Sequence, residues 1–176
     1  MSATSTDWVT EEVFLRRPDA LQRSELLDGQ VLVSPSSTFL HQTVSWRLAG
    51  VLRDWCETHP PHVARYAPLD VRFAPGRILQ PDLVVFGQPL PLDQPLPIDV
   101  VPALCVEILS EDARYDRHTK RLVYGAAGVP EYWVIDPHGA VEVFSGAGLT
   151  TRTVAPAELV SVTLPDLVVD VIALRT

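Results

Sequence analysis

The chain has 176 residues and a mass of 19.4 kDa, a length that suits one domain spanning 1–176, since domains commonly hold about 100–200 residues. Apolar residues make up 47% and charged residues 20%, which excludes a wholly disordered chain. The net charge of −8 excludes a globally basic nucleic-acid binder, although a local patch or a bound metal can outweigh the total. No apolar run reaches the roughly 17–25 residues of a membrane helix. The polar start, with Asp7, does not read as a signal peptide, and residues 1–10 are expected to be flexible. Cys56 and Cys105 form no C-x-x-C pair, which suits reduced thiols in the cytoplasm and argues against a disulfide framework or a cysteine zinc site.

The 16 prolines point to short elements joined by stiff loops. A short helix is expected over Thr10–Arg17, capped by Thr10 and stopped by Pro18. Two strands, Ser24–Leu27 and Gln30–Val33, flank a tight Asp28-Gly29 turn. Leu40, Val44, Leu48, Val51, Leu52 and Trp55 recur at helical spacing and predict a helix over 38–58. His62–Phe73 reads as a strand broken by Pro68. Leu83–Phe86 is apolar on both faces, so it is expected at the centre of a sheet. Gly87–Pro102 is a loop with five prolines. Ala103–Leu109 is a second buried strand, and Asp112–Ala127 a helix, capped by Ser110 or Asp112 and stopped by Gly128-Val129-Pro130. Glu131–Ile135 and Val141–Phe144 form a hairpin, and short strands follow near 151–154 and 168–171. The expected class is α/β (α+β): a central mixed sheet flanked by helices.

Three charged residues break this apolar logic. Asp82 heads one buried strand, Glu107 sits within the other, and Lys120 lies on the next helix with Asp116 four residues before it. Lys120 is also the sole lysine among 14 basic residues. Charge in such places is costly unless paired or bound to metal. Two carboxylates and an ammonium suit metal-assisted phosphodiester hydrolysis, because carboxylates are preferred Mg²⁺ ligands and a lysine can stabilise developing negative charge. Taken singly, each residue has a plainer reading. Glu107 can pair with Lys120 or an arginine, Asp82 can cap its strand, and Lys120 can be a solvated helix residue partnered by Asp116.

A longer set of motifs then falls in order: Glu25-Leu26-Leu27-Asp28-Gly29, Ser34-Pro35, His41 on a helix, Gln80-Pro81-Asp82-Leu83, Val106-Glu107-Ile108-Leu109-Ser110, Asp116-x-x-x-Lys120, and Gly128 through Pro137. In this order the chain resembles the Uma family of putative restriction endonucleases, within the PD-(D/E)XK nuclease superfamily. The resemblance covers about Glu12 to Phe144. It implies a restriction-endonuclease-like core, with Asp82 and Glu107 as the acidic pair. Leu109 stands where the superfamily pattern has lysine, and Lys120 takes that part from the following helix. Glu25 and His41 match accessory positions, with a surface salt bridge and a structural histidine as their alternatives. Glu131-Tyr132-Trp133 reads as core packing.

The reading is a metal-dependent DNA endonuclease. Asp82, Glu107 and the Ile108 carbonyl would hold Mg²⁺ (or Mn²⁺), and Lys120 would position the attacking water. The alternatives are a nuclease-fold module that has lost turnover and binds DNA or a partner, and a dimerisation domain whose charges merely pair. A homodimer is expected from Leu90, Leu92, Leu96 and Ile98 in the proline-rich loop.

Overall fold

A computed structural model describes residues 2–3, 8–18, 23–110 and 113–176. Its strands are β1 (Ser2–Ala3), β2 (Ser24–Leu27), β3 (Gln30–Val33), β4 (Val63–Tyr66), β5 (Val71–Ala74), β6 (Arg77–Leu79), β7 (Leu83–Phe86), β8 (Leu104–Ile108), β9 (Glu131–Ile135), β10 (Val141–Ser145), β11 (Thr151–Ala155), β12 (Glu158–Val160) and β13 (Val168–Asp170). The α-helices are α1 (Glu11–Leu15), α2 (Phe39–Thr58) and α3 (Arg121–Ala126), and a π-helical segment, Tyr115–Lys120, runs directly into α3.

Six strands form the central mixed sheet, in the order β11-β10-β9-β8-β7-β4. Only β8 and β9 run parallel; the other pairs are antiparallel. The expected neighbours β7 and β8 do pair, and all nine of their residues are buried. Alternation along β7 explains the need for apolar side chains throughout. Leu83 and Val85 pack under α2 with Val44, Leu48, Leu52 and Trp55. Val84 and Phe86 face the other way, against Tyr124 and Val71. Both faces are thus covered.

A second, antiparallel sheet has the order β1-β3-β2-β6-β5. Its β2–β3 turn places both Asp28 (φ 46°) and Gly29 (φ 81°) in the left-handed region, the requirement of a primed two-residue turn. Of the N-terminal ten residues, Ser2–Ala3 pairs with β3 and Val9 N–H donates to Gly29 O at 2.8 Å. Met1 and residues 4–7 lie outside the described residues.

Three expectations need correction. The strand expected over His62–Phe73 is two strands in different sheets, β4 beside β7 and β5 beside β6. Pro68 supplies no ladder donor, and Ala67 N–H goes instead to Asp82 O at 2.9 Å. The helix expected over 112–127 contains a π-helical segment rather than a uniform α-helix; Asp112, one of its two candidate caps, lies outside the described residues. In the proline-rich loop, Ile98 is buried and bridges to Val71, and Leu90 packs on the core. That leaves only Leu92 and Leu96 of the four apolar residues exposed. The three-residue strands β6 and β12 had no alternation long enough to reveal them.

Candidate active site

The register Leu83↔Val106 sets the site. Asp82 precedes β7 by one residue and Glu107 follows Val106, so antiparallel pairing brings both carboxylates to the same end of the sheet. Asp82 is buried and gathers three donors from three parts of the chain. Ile108 N–H donates to its Oδ2 at 2.8 Å, His41 Nε2 lies 3.1 Å from the same oxygen, and Arg23 pairs with Oδ1 at 2.6 Å. His41 reaches it because Thr38 caps α2 by accepting from His41 N–H at 3.2 Å, which fixes the first turn beside β7.

Glu107 is held from the opposite side. Lys120 Nζ lies 2.9 Å from its Oε1, and the Tyr124 hydroxyl donates to that oxygen at 2.7 Å. The ammonium also lies 3.1 Å from Glu25 Oε1 and 3.6 Å from Asp116 Oδ1. Glu25 is tied in place by donation from Gln80 N–H at 2.8 Å and from the Tyr115 hydroxyl at 3.2 Å. Both Lys120 and Glu25 are fully inside the protein, so neither the solvated-lysine reading nor the surface salt bridge holds. The widened π turn carries Tyr115, Asp116 and Lys120 together into the cluster, a placement often met at functional sites.

All the sequence-derived candidates therefore converge: Glu25, His41, Asp82, Glu107, Ile108 and Lys120. Arg23 was missed. It precedes β2 with no local pattern to mark it, yet it pairs with Asp82 and donates to Gln80 Oε1 at 3.4 Å. Tyr115 and Tyr124 were missed too, since an aromatic at helical spacing reads as core.

Four carboxylates (Glu25, Asp82, Glu107, Asp116) face two cations, Arg23 and Lys120. Burial pushes Glu107 well above the usual carboxylate range, Lys120 opposing and the other carboxylates adding to the rise. Burial likewise pushes Asp116 up, to about 6, against the pull of Lys120. At Asp82 burial acts in the same sense, but the His41 hydrogen bond and the Arg23 charge overrule it and hold the group below its usual range. Burial would lower Lys120; Glu107, Glu25 and Asp116 outweigh it and keep the ammonium protonated.

The cluster lines a polar cavity of about 40 Å³, room for an ion or water but far too small for a nucleotide. Among the described residues no three His, Cys, Asp or Glu side chains form a ready-made metal cage. The donor chemistry nonetheless fits Mg²⁺, which takes one or two carboxylates and keeps several waters. His41 Nδ1, buried without a partner, is a further polar atom at this site.

A mixed sheet with this acidic pair at the end of its central strands defines a restriction-endonuclease-like fold. The solved structure of a protein described as a putative nuclease belonging to DUF820, from Anabaena variabilis, is similar, with a TM-score of 0.79 and 21% identity over 95% of this chain and 97% of that one. The model of the Uma2 family, described as "Putative restriction endonuclease", matches residues 11–173, and the chain belongs to that family. No curated protein matches it.

Proposed function

We propose that this protein is a metal-dependent endonuclease that hydrolyses phosphodiester bonds in DNA. The observation that carries the reading is the meeting of Asp82, Glu107 and Lys120 at one end of the central strands β7 and β8, with Nζ 2.9 Å from Glu107. Asp82, Glu107 and the Ile108 carbonyl would hold Mg²⁺, with Mn²⁺ as a substitute. When bound, such an ion lowers the pKa of a coordinated water and polarises the phosphoryl oxygen. His41 and Arg23 orient Asp82. Glu25 steers the Lys120 ammonium, which orients the attacking water and offsets charge developing on the phosphate. The new bond would join the water oxygen to phosphorus as that water gives up a proton to solvent, and the scissile P–O bond would break with the leaving oxygen taking a proton from solvent.

The whole chain would act as one domain in the cytoplasm, where free Cys56 and Cys105 stay reduced. No described helix is long and apolar enough to cross a membrane. A homodimer would present two sites to a duplex, with Leu92 and Leu96 as its exposed apolar anchors.

Nicking of supercoiled plasmid with Mg²⁺ or Mn²⁺ tests the reading. Wild type should nick; Lys120→Ala and Lys120→Gln, each checked for folding, should not. Equal activity in wild type and variants would reject the Lys120 role. A folded wild type that never nicks would favour the second reading, a DNA-binding module without turnover. Leu109 in the superfamily's lysine position and the internally paired charges are what favour that alternative.

A further inference from the structure

A second depression lies beside the site, between α2 and the edge strand β4, with a volume of about 590 Å³, within the ~300–1,000 Å³ typical of ligand sites. Trp46, Arg47, Gly50, Arg53, Arg65 and Tyr66 line it. Trp46 is 77% exposed and Tyr66 63%, large aromatic faces that no core packing explains. Phe39, 90% exposed, lies seven residues before Trp46 and so shares its face of α2. No carboxylate is among the lining residues. Among the described residues Arg47 and Arg65 donate only to backbone carbonyls, of Ala173 at 3.1 Å and Ala64 at 2.7 Å, while Arg53 is paired with Asp54 at 2.6 Å and lies 4.0 Å from Glu57.

Gly50 supplies an independent observation. It sits in the interior of α2, where glycine is less favourable than alanine because it gives up more backbone freedom. A Cβ there would meet nothing within 4 Å, so no packing within the chain requires the glycine. What its bareness does is leave the floor beside Trp46 open.

The groove and the site are separate depressions that meet at adjacent residues, Leu83 lining the one and Asp82 the other. Tyr66 pairs with Leu83, the residue after Asp82. Trp46 lies five residues beyond His41, roughly 7–8 Å along the helix axis.

We propose that the groove between α2 and β4 seats a single strand of nucleic acid, its phosphates on the arginines and its bases against Trp46 and Tyr66. Stacking requires unpaired bases, because a duplex buries their faces, and single-strand grooves combine just these two kinds of side chain. The inference rests on the nuclease reading for its ligand and extends it, placing a strand next to the Asp82–Glu107 pair.

Fluorescence anisotropy of a labelled oligo-dT strand, with the full chain in EDTA, tests it without any cleavage. Wild type should bind the strand more tightly than the matching duplex. Trp46→Ala with Tyr66→Ala should weaken binding about tenfold or more. Arg47→Ala with Arg65→Ala should flatten the salt dependence by about 0.7 for each phosphate that is no longer neutralised. Gly50→Leu should fill the groove and weaken binding with no fall in Tm, since leucine is a good helix former. Absence of wild-type binding, or variants that bind as wild type does, would overturn the proposal. So would variants that alter the oligomeric mass while binding DNA normally, because the groove would then be a protein interface. If the strand binds as expected but no metal supports plasmid nicking, the groove stands and the nuclease reading falls. Nicking with KM and affinity unchanged in the groove variants gives the reverse.

Discussion

Lys120 is surrounded so closely that its removal has two separable consequences. Its ammonium serves Glu107, Glu25 and Asp116 at once, and breaking a buried pair by deleting one partner costs about 3–5 kcal/mol. Lys120→Ala is therefore expected to be inactive and also less stable at neutral pH, recovering on acidification as the stranded carboxylates take up protons. Denaturant midpoints at several pH values check this. Lys120→Arg should not restore nicking, since the planar, forked guanidinium is larger than the space around an ammonium. Asp116 carries a second residue-scale prediction. Its folded pKa of about 6 lies above the unfolded value near 3.9, so the folded protein holds a proton there that the unfolded chain has released. That stabilisation is present at the acid side of the window and is lost as pH rises through about 4 to 6. Wild type in EDTA should thus lose more Tm between about pH 5 and pH 7.5 than Asp116→Asn does. Added Mg²⁺ should raise the Tm of wild type more at the upper pH, because it binds the ionised cluster.

Among the elements, β7 and β8 were legible because both are continuous apolar runs interrupted only where a carboxylate sits. The α2 helix was legible from its stripe, and the β2–β3 turn from Asp28-Gly29. The parting of β4 from β5 was not legible: a proline break says where pairing stops, not which sheet each half then joins. The π segment was equally hidden, since Tyr115–Lys120 has the composition of an ordinary helix. Arg23 escaped because its partner Asp82 is remote in sequence and only folding brings them together. Glu131 was read as packing, and the structure gives it another part. Fully buried at the start of β9, it accepts from Trp133 Nε1 at 2.7 Å, Ser161 Oγ at 2.6 Å, Thr163 N–H at 2.9 Å and Thr163 Oγ1 at 2.7 Å. It thereby fastens the β12–β13 connection to the central sheet. Glu131→Ala should strand these donors and destabilise by about 3 kcal/mol or more, given ~1–3 kcal/mol for each buried group left unpaired. Limited proteolysis should then cut first after β11. On α2, Gly50→Ala should raise stability by about 0.5–1 kcal/mol in chemical denaturation, because nothing opposes the added methyl.

At the scale of the whole molecule, a net charge of −8 conceals two opposed neighbourhoods, an acidic cavity and an arginine-lined groove beside it. Overall charge could not have revealed either one, because folding sorts residues that the sequence interleaves. Light scattering is expected to give about twice 19.4 kDa for the intact protein, and Leu92→Asp with Leu96→Asp should return it to the monomer mass. A wild type that stays monomeric at high concentration would remove the two-fold arrangement from the proposal.

The geometry of Asp82 reaches further than the site itself. Its three donors come from the segment before β2, the first turn of α2 and the end of β8, and the ammonium beside Glu107 comes later still, from the π turn. A chain leaving the ribosome presents Arg23, Glu25 and His41 well before Lys120 has been made. Any chemistry the cluster performs therefore starts late in synthesis, after both sheets have come together. An incompletely made chain carries Glu25, Glu107 and Asp116 without the ammonium that pairs with all three.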